Sequence, residues 1–178
     1  KFIRGKLNYY ISVAAFEDFK YDYQSTNRGM TEQLLAYSAT EKMNIQHALI
    51  ENLKEENKYY QYDFFFDNCT TRLRDLVVNS KHPRPLLPSV KPANMRFRQA
   101  IHEYLDKGNQ QWSKLGIDLL LGRKIDRKMS NREAMFLPEF LEKGIDLTGA
   151  GNDSLVKTKL FPIVKAENDA DQGTLFTP

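Results

Sequence analysis

The sequence predicts an α+β fold that is mainly helical, and three observations carry this. Ser38 and Glu41 stand at capping-box spacing ahead of Ile45, Leu49 and Leu53, which recur at i, i+4 and i+8. Ser130 and Glu133 repeat that spacing before "MFLPEFLEKGI". Between them, "YYQYDFFF" (residues 59–66) is aromatic with a period of two, the mark of a strand buried on at least one side. The chain has 178 residues, 41% hydrophobic and 28% charged, a globular composition long enough to bury a core.

Taken in order, residues 1–23 hold seven aromatics with broken alternation. They read as a short helical turn over residues 2–6 and a strand over 9–16. Residues 31–37 fit either a helix or a strand. The capped amphipathic segment gives a helix over residues 40–57. After the aromatic strand, Asp67 and Asn68 are both suitable N-caps for a helix reaching Ser80, with Leu73, Leu76 and Val77 as its apolar stripe. "KHPRPLLPSVKPANMRFR" carries four of the seven prolines and no acid, so it reads as a crossing loop. A helix resumes over residues 94–107, and "QQWSKLGIDLLLG" supplies another. Pro138 ends one helical segment and opens the next from its first position. The tail reads as a short strand and a polar linker. The domain organisation expected is one domain over residues 1–148 and an extension or linker over 149–178.

A balance of 26 Lys and Arg against 23 Asp and Glu is too mild for a nucleic-acid partner. No apolar run approaches the roughly 18 residues that span a bilayer. One cysteine excludes an internal disulfide. The opening "KFIRGKLNYYIS" lacks Met and already sits inside a patterned segment, so we expect a longer chain upstream.

That cysteine, Cys69, falls where the aromatic segment meets a helix start. Unpaired N–H groups and the helix dipole favour a negative group there, lower a thiol pKa and can hold the oxyanion of an acyl intermediate. Arg72, three residues on, would attract a thiolate by about 3 kcal/mol at roughly 5–6 Å unless it points to solvent. Arg74 faces elsewhere and suits pairing with an acid. Against this, Cys69, Leu73 and Leu76 lie at i, i+4 and i+7, and free cysteine is among the most buried residue types. The local pattern therefore leaves a structural cysteine and a nucleophile both open. A nucleophile needs a base, yet His47, His82 and His102 read as surface or loop residues without an orienting partner. None has metal-ligand spacing, and no cofactor is expected.

"NRGMTEQLLAYSATEKMNIQHALIENLKEENKYY", "YQYDFFFDNCTTRLRDLV" and "MFLPEFL", in that order over residues 1–141, resemble the Lnb N-terminal periplasmic domain family. The resemblance implies a circularly permuted papain-like core lacking its N-terminal strands, followed by C-terminal helices, related to NlpC-type amidases and lecithin:retinol acyltransferase. It implies Cys69 as nucleophile, with Asn68, Thr70 and Arg72 as oxyanion or orienting residues. The family's Gly-His strand has no counterpart here and would fall upstream of Lys1, which would leave this chain inactive by itself. The activity implied is an extracytoplasmic cysteine acyltransferase, acylating lipoproteins through a thioester, in the periplasm or envelope of a Gram-negative bacterium. Its partners would be lipid or lipopeptide and a membrane surface. A cysteine amidase or peptidase acting on cell-wall peptides, and a catalytically silent binding domain, are the alternatives.

Other residues carry weaker signals. Lys81, Arg84, Lys91, Arg96 and Arg98 form an acid-free run suited to anionic headgroups or to plain solvation. Asp67 caps the Cys69 helix or orients a histidine, and Asp63 flanks the same strand. Arg28 and Gln33 either line the site or, for Arg28, make a surface salt bridge. Tyr62 and Phe64 fit a core better than an acyl groove.

Overall fold

A computed structural model describes residues 8–148 and 155–165. It is 52% helical with two small antiparallel sheets, the predicted mainly helical α+β class. The expected turn over residues 2–6 and the polar linker after residue 165 lie outside the described residues. The chain divides into two compact units, residues 1–14, 33–90 and 131–160 in the first and residues 15–32, 91–130 and 161–178 in the second.

In the first unit, β1 (Asn8–Tyr10) pairs antiparallel with β3 (Tyr59–Gln61), Tyr9 opposite Tyr60. The aromatic strand is thus shorter than its alternation suggests: Tyr60, Tyr62 and Phe64 are half-buried in keeping with a period of two, but Phe66 is exposed and Phe65 half-buried. Helix α2 (Ala39–Leu53) opens on the predicted box: Ser38 Oγ accepts the Glu41 N–H, and Glu41 accepts the Ser38 N–H at 2.7 Å. It stops short of residue 57 because Lys54 leaves the helix and its carbonyl takes the N–H groups of Asn57 and Lys58 at 2.9 Å. Its expected stripe is only half covered: Ile45 and Leu53 are half-buried and Leu49 is exposed.

Helix α3 (Cys69–Ser80) buries Thr70, Thr71, Arg74, Val77 and Val78. Of the expected stripe, Val77 is buried and Leu76 half-buried, but Leu73 is exposed, so the helix is rotated away from Leu73. Helix α6 (Asn131–Ala134) is a single turn, and α7 (Pro138–Asp146) starts with Pro138 at its first position, as predicted. Val77, Met135, Leu141, Ile145 and Leu155 form the core of this unit. A Cβ at Gly144 would stand 2.6 Å from the methyl of the fully buried Met135, so that side chain would have to shift. Residues 30–35 resolve to a strand, β2 (Met30–Leu35), in a sheet with β4 (Val156–Val164). The Ala36 N–H reaches the Leu155 carbonyl at 2.8 Å.

The strand expected over residues 9–16 is realised only at Tyr9 and Tyr10, in β1; in the second unit an unexpected helix, α1 (Phe16–Ser25), follows. Glu17 and Asp18 in its first turn favour the positive helix end, and Phe19 packs on Tyr23 one turn later, 4.8 Å between ring centres. Helix α4 (Phe97–Lys107) begins three residues later than expected, after Asn94 in the left-handed region at φ 58°, and buries Phe97, Ala100, Ile101 and Leu105. Helix α5 (Gln111–Leu121) follows, closed by Gly122 at φ 53°, and a 3-10 turn (Gly122–Asp126) inserts Ile125 into the core of this unit.

Candidate active site

The segment 62–72 is a tight loop that delivers Cys69 to the first position of α3. Asp63 and Asp67 exchange backbone hydrogen bonds at 3.1 Å in both directions, closing a loop around Phe64, Phe65 and Phe66. Asp63 Oδ1 accepts the N–H groups of Phe65 and Phe66 at 2.9 and 3.0 Å, so its role is to hold the turn. The rings of Phe64 and Phe65 meet the buried Phe136 edge-on, at 5.7 and 5.4 Å. Phe136 belongs to "MFLP", so this motif anchors the cysteine loop.

Asn68, 5% exposed, joins the loop to the helix. Its Oδ1 accepts the Thr71 N–H at 2.8 Å, and its own N–H donates to Thr71 Oγ1 at 2.9 Å. Its Nδ2 donates to the Phe64 and Phe136 carbonyls, both at 3.0 Å. The cap is therefore Asn68 and not Asp67. Asp67 instead takes a bidentate pair from Arg72, Nε at 2.6 Å and Nη2 at 2.9 Å. The Arg72 guanidinium also lies 3.6 Å from the centre of the Tyr60 ring. Arg72 thus presents Cys69 with half of an ion pair rather than a lone cation. Arg74 is buried, bonds Asp75 at 2.7 Å and donates to the Arg132 carbonyl, as its pairing role requires.

Cys69 is exposed, which excludes the buried-cysteine reading. Exposure follows from the helix rotation: Leu73, one turn along, faces solvent with it. The N–H groups of Cys69 and Thr70 find no acceptor among the described residues, while those of Thr71 and Arg72 are taken by Asn68. Buried Thr70 has its hydroxyl 4.0 Å from the Cys69 sulfur. Two tyrosines, Tyr60 and Tyr62, feel the Cys69 charge. Tyr62 stacks on Tyr9 with ring centres 4.4 Å apart, and its hydroxyl pKa is pushed up to about 12 by burial and next by the Cys69 charge. Tyr60 is raised by burial too, with Arg72 opposing and Cys69 reinforcing. Tyr62 and Phe64 are half-buried: Tyr62 stacks on Tyr9 and Phe64 anchors the loop through Phe136. The register of β1 on β3, which brings Tyr9 to Tyr60, and the contact with Phe136 had no local signal in the sequence.

No histidine hydrogen-bonds the sulfur among the described residues. His47 and His82, in the same unit, are exposed. His102, in the second unit, is no plain surface residue: it is half-buried, with Nε2 2.8 Å from Asp118 Oδ1. Gln33 donates to Asp146 at 2.6 Å, and Arg28 donates to the Thr26 hydroxyl and stacks on Tyr23, with no salt bridge among the described residues. The basic run is largely engaged. Lys81 donates to the Ala36 carbonyl at 2.6 Å and lies 3.5 Å from Glu41; Arg84 binds Asn79, Arg96 the Asp126 carbonyl, and Arg98 both Asp118 and Asp126.

A family model described as the Lnb N-terminal periplasmic domain matches residues 1–107, so Cys69, its loop and the tyrosines fall inside the match, and "MFLP" falls beyond it. No curated protein and no solved structure matches the chain.

Proposed function

The chain belongs to the Lnb N-terminal periplasmic domain family and is therefore an extracytoplasmic bacterial domain; on that premise we propose that it is a cysteine acyltransferase domain of a Gram-negative periplasm, with a permuted papain-like core. The observation that carries the reading is Cys69: exposed, first in α3, with two N–H groups at the helix start that meet no acceptor among the described residues. The sulfur attacks the ester carbonyl of a lipid, forming a C–S bond, while the Cys69 and Thr70 N–H groups hold the oxyanion. Collapse breaks the ester C–O bond, and the alcohol leaves with the thiol proton. The amine of a lipopeptide then attacks the thioester, which yields an amide and restores the thiol. Asn68 and the Arg72–Asp67 pair orient the loop, and Tyr60 and Tyr62 add to the electrostatic surroundings of the sulfur. No base is assigned among the described residues.

Intact mass measurement of the full-length protein after incubation with phospholipid vesicles tests this. The expected result is a gain of one acyl chain, mapped to Cys69, removed by hydroxylamine and absent from Cys69→Ala. An unmodified Cys69 would overturn the acyltransferase, and cleavage of cell-wall peptides without a lipid adduct would replace it with an amidase.

A further inference from the structure

Helix α5 is turned inside out. Its charged residues face the protein: Lys114 bonds Asp106 of α4 at 2.8 Å, and Asp118 binds Arg98 and lies 2.8 Å from His102. Trp112, Leu115 and Leu119 recur at i, i+3 and i+7 on the other side, with Leu120 beside them, and all four are exposed, Trp112 by 86% and Leu119 by 77%. Gly116 lies among them, and a Cβ there would meet nothing within 4 Å, so no part of the described chain covers this face. No residue of α5 is buried.

Charge selects the occupant. Residues 107–128 contain six basic residues against two acidic ones, Asp118 and Asp126, and Arg98 engages both acids. Arg123 and Lys124 follow the helix directly and are exposed. A tryptophan and leucine stripe flanked by basic residues is the composition of a helix lying in a bilayer interface. At 11 residues α5 is too short to span, and no described helix is long and apolar enough to cross a membrane. We propose that α5 docks the domain on an anionic lipid surface, its Trp112–Leu115–Leu119 stripe in the headgroup layer and Arg123 and Lys124 on lipid phosphates. The docking is independent of Cys69 chemistry and lies outside the matched residues 1–107.

Trp112 is the only tryptophan in the chain, so its fluorescence reports on this face alone. The full chain is titrated with phosphatidylglycerol-containing vesicles and with pure phosphatidylcholine vesicles, each with and without brominated acyl chains. The expected result is a blue shift and bromine quenching on the anionic vesicles. Leu119→Asp should weaken partitioning by about tenfold or more, and Arg123→Ala and Lys124→Ala by about fivefold each. These positions are exposed, so far-UV circular dichroism should be unchanged. Cys69→Ala should bind as the parent does, which separates a failure here from a failure of the acyltransferase reading. No shift on anionic vesicles, or an equal one for Leu119→Asp, would overturn the proposal. A blue shift without lipid that grows with protein concentration and disappears in Leu119→Asp would assign the face to a second copy and overturn it too.

Discussion

Asn68 uses its N–H, its carbonyl and both side-chain atoms within the fold, and the Cys69 sulfur beside it has no hydrogen bond closer than 4.0 Å among the described residues. That contrast divides the work: one residue fixes the loop, and the next is left accessible. Asn68→Ala would remove the cap and the two hydrogen bonds that its Nδ2 gives to the Phe64 and Phe136 carbonyls. It should cost about 2–4 kcal/mol in urea unfolding. Cys69→Ala, at an exposed position, should change stability by no more than about 0.5 kcal/mol in the same assay. A large loss at Cys69 would restore the core role that its spacing to Leu73 and Leu76 suggested. Spacing could not decide between these readings because i, i+4 and i+7 fix a face but not its direction. The deciding contacts come from Phe136, 68 residues beyond Asn68.

Among the elements, those with their own chemical punctuation were legible. Ser38 with Glu41 located the start of α2, and Pro138 located α7, since caps and proline act within one turn. Helix α1 was missed because its aromatics follow a true strand without a capping side chain. The reach of Glu41 was not visible either. Beyond its box it accepts the His82 N–H at 2.9 Å and faces Lys81, tying α2 to the end of α3. The His82 and Ser38 N–H groups, in that order, lower its pKa from 4.5 to about 2. A carboxylate depressed in the folded state stabilises fully above its unfolded pKa and loses that contribution as pH falls through the folded one. Thermal stability should therefore decline from about pH 4.5 toward pH 2, and Glu41→Gln should be less stable at neutral pH but flatter across that acid range. Parallel acid slopes for the two proteins would contradict this assignment.

At the scale of the whole molecule, the sequence carried the fold class and the cysteine, but not which surfaces face outward. Helix α5 shows why: its apolar period is strong, and periodicity is blind to whether the stripe meets a core or a solvent boundary. The cysteine site likewise draws on β1, β3, α3 and the "MFLP" turn, segments joined only by tertiary contact. If Phe136 is the anchor of the cysteine loop, Phe136→Ala should destabilise the protein by about 3–5 kcal/mol in urea unfolding. The central claim is that the fold presents Cys69 instead of storing it. Its most direct test is iodoacetamide labelling followed over time by mass spectrometry, in water and in sub-denaturing urea. We predict labelling of the native chain at a rate unchanged by urea below the unfolding transition; labelling that occurs only at the rate of unfolding, and accelerates with urea, would contradict it.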